Sequence, residues 1–197
     1  MVPSRSRRWW AAVVTAVAVA SSLSACSLQQ NIEGIPECTG AEERRVPNSA
    51  LVLMAQSVPT AQLLPCVRSV PVGWMFSDLV AKNGSAEFTF DSDREGVAAL
   101  IVSLRPSCSV EGTSQVESDQ PDADRYERVS RVSTGFGGER IYTFPGGCVV
   151  YTFDLRGESH AEPVTEITNA LGFVTRSDLA DQVSEHSNGQ LSLDPAD

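Results

Sequence analysis

Hydrophobic and polar positions alternate in several blocks of the chain, separated by runs rich in Gly, Pro and acidic residues. "SAEFTFDSD" sets Ala86, Phe88 and Phe90 against Glu87, Thr89 and Asp91, the period of a half-buried strand. "WMFSDLVAK" precedes it across Asn83-Gly84, a pair that favours a two-residue hairpin turn because both residues tolerate positive φ. "VAALIVSL" (97–104) does not alternate and predicts a central strand covered on both faces. "ERIYTF" and "CVVYTFDL" flank a Pro-Gly-Gly turn at 145–147, with Tyr151, Phe153 and Leu155 on one face. "YERVSRV" (126–132) predicts a further strand, although Asp124 and Glu127 have the spacing of a helix cap.

Shorter runs carry less pattern. "ALVLMA" (50–55) is expected as a buried strand on length alone, and "TAQLLP" as one helical turn capped by Thr60 and stopped by Pro65. "EGTSQVESDQPDAD" (111–124) predicts an exposed loop. "AEPVTEITNALGF" and "SDLADQVSEHSNG" predict two helices, with Pro163 in a first turn, Gly172 as a stop, Ser177 as an N-cap and Gly189 as a second stop. The expected fold class is α+β: an antiparallel sheet of about five or six strands, two C-terminal helices and two disulfides.

The first 26 residues follow a different rule. Arg5, Arg7 and Arg8 precede the apolar run "AAVVTAVAVA" (11–20), which is shorter than the roughly 20 residues a membrane span needs. A basic start, a short apolar middle and small residues after it describe a signal peptide. Those residues end in "LSAC", Leu23 to Cys26, which resembles the lipobox of bacterial lipoproteins at every position. The resemblance covers only residues 1–26. It implies a diacylglyceryl group on the Cys26 sulfur, cleavage before Cys26, and a cell-membrane location facing the extracytoplasmic side. The expected organisation is a signal peptide (1–25), a lipidated N-terminus with a polar spacer (26–48), and one globular domain (49–197).

Four cysteines remain after Cys26: Cys38, Cys66, Cys108 and Cys148. An even number in an exported chain predicts disulfides. Cys108 follows one apolar strand and Cys148 opens another, so antiparallel neighbours would bring them together. Cys38 and Cys66 would then clip the N-terminal arm to the domain. None of the spacings is that of a zinc site.

Three of the 15 basic residues and none of the 25 acidic ones lie in residues 1–25, so the chain from Cys26 onward has a formal balance of −13. That charge argues against nucleic acid as a partner and against electrostatic adsorption to an anionic membrane. Lys82 is the only lysine, a bias that with abundant Arg and Ala suggests a high-GC bacterium such as an actinomycete.

The catalytic inventory is thin. His160 and His186 are the only histidines, one in a loop and one at a helix end, and no nucleophile elbow, phosphate loop or dinucleotide motif is present. Gly135, Gly137 and Gly138 precede a strand, as hairpin glycines do. Asp91, Asp93, Glu95 and Gly96 match the start of a calcium loop, but its twelfth position is Val102 where a bidentate carboxylate is required. No metal or cofactor is expected. The functional expectation is a non-enzymatic envelope module binding an envelope protein, a cell-wall polymer or a small apolar ligand; a concave pocket lined by Trp74, Phe76, Phe88 and Tyr151 would support the last, although core packing explains these aromatics at least as well. An envelope hydrolase with a dispersed site is the alternative.

Overall fold

The computed structural model describes residues 30–31, 34–38, 46–157 and 161–194. In chain order the elements are β1 (Gln30–Asn31), α1 (Ser49–Ser57), β2 (Leu63–Val67), β3 (Trp74–Lys82), β4 (Ser85–Ser92), β5 (Gly96–Arg105), β6 (Ser114–Val116), β7 (Asp124–Arg131), β8 (Phe136–Phe144), β9 (Gly147–Leu155), α2 (Ala161–Asn169), β10 (Leu171–Thr175) and α3 (Arg176–His186). This is the expected α+β architecture, with a sheet wider than its pattern suggested. Eight antiparallel strands run in the order β1-β3-β4-β5-β9-β8-β7-β6, and β2 and β10 form a separate ribbon.

Register decides which face becomes the core. Phe88 pairs with Leu79 and Val102, Val102 with Tyr151, and Leu104 with Val149, so these side chains share one face and are buried. Side chains from α1, the ribbon, α2 and α3 join them in one apolar cluster. β5 is central, as expected. Its second face is only partly closed: Ser103 is buried against Glu87, while Ile101 is half-exposed.

Two short segments differ from their sequence expectation. Residues 50–55 are helical, because Asn48 accepts a hydrogen bond from the Leu51 N–H at 3.1 Å and caps the helix. Leu, Met and Ala are strong helix formers, and Ala50, Leu51, Met54 and Ala55 recur at helical spacing on the buried face. Residues 63–67 form a strand that contains Pro65, not a helical turn. All five residues are buried, and the ribbon has only two strands, its other edge engaged at Val67 by Glu37. A proline without an N–H is tolerated at such an edge.

The two C-terminal helices are present, with β10 between them. Gly172 therefore lies inside a strand. A Cβ there would come 2.6 Å from Arg68 Nε, so glycine makes room for a guanidinium lying across the ribbon. The cap of α3 is Thr175 and not Ser177: its hydroxyl accepts from the Asp178 N–H at 3.0 Å. Gly189 follows the helix end as expected, its N–H donating to Ser184 O at 2.7 Å.

At the β3–β4 turn Gly84 has a φ of +83°, while Asn83 is not left-handed. The Gly84 N–H donates to Ser57 O at 2.7 Å, which fixes this turn to the end of α1. The β8–β9 turn is tighter. Gly146 has a φ of +76°, and a Cβ there would lie 1.8 Å from the Thr60 carbonyl oxygen. Gly146→Ala is expected to destabilise the fold by about 2–4 kcal/mol, from the left-handed backbone and from a contact that must be pushed apart. Gly112→Ala is the control: its φ is +72° with open space around it, so it should show the backbone cost alone. Equal unfolding midpoints for the two variants would mean the Thr60 contact does not matter.

Both disulfides pair sequentially. Cys108–Cys148 joins the segment after β5 to the start of β9, with Cα atoms 6.0 Å apart. Cys38–Cys66 joins the N-terminal arm to β2 at 4.8 Å. The arm is further held by hydrogen bonds from the Cys38 N–H to Val67 O and from the Val67 N–H to Pro36 O, both 2.8 Å. The described part of the segment expected as a spacer is thus already engaged with the domain, through β1 and through this arm.

Candidate functional site

Of the two readings of Trp74, Phe76, Phe88 and Tyr151, the structure has core packing. Trp74, Phe88 and Tyr151 are buried, and Phe76 is half-buried with its ring centroid 6.2 Å from that of Phe88 and 5.7 Å from that of Phe90. The Trp74 indole N–H donates to Glu166 on α2 at 3.2 Å.

The acidic turn at 91–96 is a hairpin end whose carboxylates serve the backbone. Asp91 Oδ1 accepts from the Ala98 N–H at 2.8 Å, and the buried Glu95 accepts from the Gly157 N–H at 2.8 Å. His186 sits in the last turn of α3, where an imidazole complements the helix dipole. Cys26 and His160 lie outside the described residues.

Two features were not legible in the sequence. The first is an ionic network on the core side of the sheet, on the strands β7 and β8. Register places Arg125, Glu127, Arg140 and Tyr142 on the same face as Tyr151. Arg125 donates to Glu127 at 2.8 Å and to Asp119 at 3.1 Å, Arg140 donates to Glu127 at 2.7 Å, and the Tyr142 hydroxyl donates to Asp119 at 2.9 Å. Burial opposes ionisation of Asp119, but the bonds from Tyr142 and Arg125 outweigh it and hold its pKa below the ordinary value. This network satisfies its own charges.

The phenols beside it titrate late. Burial, opposed by Arg140 and reinforced by the Asp119 carboxylate, pushes Tyr142 up to about 12. Burial pushes Tyr151 well above the usual phenol value. The neutral phenol is thus favoured by folding, so this stabilisation is fully present below pH ~10 and is lost as pH rises through about 12. In an alkaline titration followed by phenolate absorbance, Tyr142→Phe is expected to remove a late step near pH 12. Loss of a step near pH 10 instead would place the Tyr142 hydroxyl in water.

The second feature is a groove of about 790 Å³ at one end of the domain. Leu63 of β2, Ala180 of α3, Pro145 of the β8–β9 turn and Leu193 of the C-terminal segment form its apolar lining. Gln62, Asp122, Asp194 and the start of α3 supply the polar rim. There the Arg176 guanidinium is pinned by donating to Ala55 O at 2.8 Å and to Asp194 O at 2.6 Å. Burial draws its pKa below the usual arginine range, with the Asp194 charge opposing that effect. The Thr175 and Ser177 hydroxyls are 3.0 Å apart and bond to each other.

The groove exists because β10 feeds directly into α3, and the Arg176 N–H donates to Gln62 O at 2.8 Å, joining the ribbon to the helix start. Its lining comes from five separate stretches of chain, which is why no motif announces it. Chemically it can hold a molecule with an apolar body and a polar end. A groove of this size is typical for small-molecule sites. No known protein family, characterised protein or solved structure matches the chain.

Proposed function

We propose that the chain is a lipid-anchored extracytoplasmic envelope protein whose domain is a binding module for a small, partly apolar ligand. The observation that carries the binding role is the groove between α3, β2 and the β8–β9 turn, with its apolar lining and its polar rim. The Cys26 lipobox supplies the location. Diacylation makes such an anchor durable, since each buried methylene contributes about 0.8 kcal/mol and a single chain holds only marginally.

Native mass spectrometry of the protein taken from its own membrane tests the binding role. The expected result is a bound small molecule that is lost in Ala180→Trp, whose indole would fill the groove, with the melting temperature otherwise kept. A bound molecule retained by Ala180→Trp would place the site elsewhere. Release of a cleaved product during incubation would favour the hydrolase. Fractionation of cells expressing Cys26→Ser behind an ordinary signal-peptide cleavage site tests the anchor: soluble protein is expected. Persistent membrane pelleting in high salt would show a second anchor.

A further inference from the structure

Resting on the reading of Cys26 as the lipid-bearing residue, we propose that the end of the sheet carrying the β3–β4 turn is held against the bilayer headgroups. The groove then opens beside the membrane surface. Three observations converge on this orientation.

The first is chain length. β1 begins at Gln30, and four residue steps from Cys26 span at most about 14 Å when fully extended. That leaves no room for the domain to stand clear of a lipid-bearing Cys26. The second is direction. Gln30 pairs with Ala81 and Asn31 with Val80, so the N-terminal end of β1 points past Lys82 toward the turn at Asn83-Gly84.

The third is charge. Arg94, Arg125, Arg128, Arg131, Arg140 and Arg156 all pair with carboxylates. Like Arg68, whose guanidinium lies across the ribbon at Gly172, Lys82 and Arg105 are exposed and have no acidic partner among the described residues. Both lie at this same end, Lys82 opposite Ser85 and Arg105 opposite Cys148, one position beyond the Ala86–Leu104 pair. Such cations suit lipid phosphates, although they are too few to bind a membrane unaided. The exposed Asp122 and Asp124 are also at this end, but on the β7 side, five strand positions from β3 and so roughly 24 Å away, and the exposed Asp194 lies with Asp122 on the groove rim. The opposite end carries Asp91, Asp93 and Asp154. Pro145, on the groove wall, belongs to the tethered end, because Gly147 pairs with Phe144 there.

The test places a nitroxide on the mature lipoprotein in vesicles of phosphatidylglycerol and phosphatidylethanolamine. With four cysteines in disulfides and Cys26 acylated, an introduced cysteine is the reactive thiol. Asn83→Cys marks the proposed membrane end, and Ser133→Cys marks the β7–β8 turn at the other end. Nine-residue strands separate the two ends by roughly 27–30 Å. A nickel chelate fixed to lipid headgroups, compared with the same chelate free in water, should relax the label at 83 at least threefold more strongly than that at 133. Equal relaxation at the two positions, in variants that keep the parent melting temperature and sediment with vesicles, would overturn the orientation. If neither variant sediments with vesicles, the lipid-anchor reading itself fails and the orientation with it.

Discussion

Reducing both disulfides is expected to unfold this domain or leave it marginal at 37 °C. Cys38–Cys66 closes a separation of 28 residues and Cys108–Cys148 one of 40. Loop-closure entropy gives about 3.5–4 kcal/mol for each, or roughly 7 kcal/mol together. A domain of this size has a net stability of about 5–15 kcal/mol, so that loss takes up from about half to all of it. The two bridges act on different structures. Cys108–Cys148 ties the β5 end to the start of β9, strands that hydrogen-bonding already holds side by side. Cys38–Cys66 fastens the N-terminal arm to β2, beside hydrogen bonds between Cys38, Pro36 and Val67. Guanidinium unfolding with and without reductant measures the total, and paired Cys→Ala variants separate the two. A reduced midpoint within a tenth of the oxidised one would show that the bridges constrain little. Peptide maps joining Cys108 to Cys38 or Cys66 would overturn the pairing.

Phe88→Ala is expected to cost about 3–5 kcal/mol. Phe88 is fully buried and lies between Leu79 and Val102 across its strand pairs. Its ring meets Phe90 edge-on with centroids 6.0 Å apart, so the substitution removes aromatic contacts as well as apolar burial. The cavity would open in the core cluster that α1 shares with β3 and β4. Phe76→Ala is the comparison, since Phe76 is only half-buried and should cost less. Urea unfolding measures both, with a changed midpoint and an unchanged slope indicating lost stability. Equal costs would mean that burial does not set the difference.

The strands at 85–92, 96–105 and 147–155 and the 139–144 part of β8 were legible because each is long enough for its period, or its lack of one, to show, whereas Gly137 and Gly138, expected in a hairpin turn, pair inside β8. The two disulfides were legible from cysteine parity and from apolar runs flanking Cys108 and Cys148. Residues 50–55 and 63–67 were misread because five or six apolar residues carry no period of their own. In the first the Asn48 cap decides, and in the second the partner strand β10. Gly172 looked like a helix stop because local sequence does not show that Arg68 lies across it.

By itself the sequence determined an acidic chain, the α+β class and two cysteine pairs, since each of these is local or countable. Tertiary structure alone decided the ionic network of Arg125, Glu127, Arg140 and Asp119, because cross-strand register selects the face a charged side chain joins. It alone decided the groove as well, whose walls, from Leu63 through Asp122 and Pro145 to Ala180 and Leu193, lie up to about 130 positions apart along the chain. Residues so far apart share no period, spacing or motif, and only the closing of the ribbon against α3 brings them together.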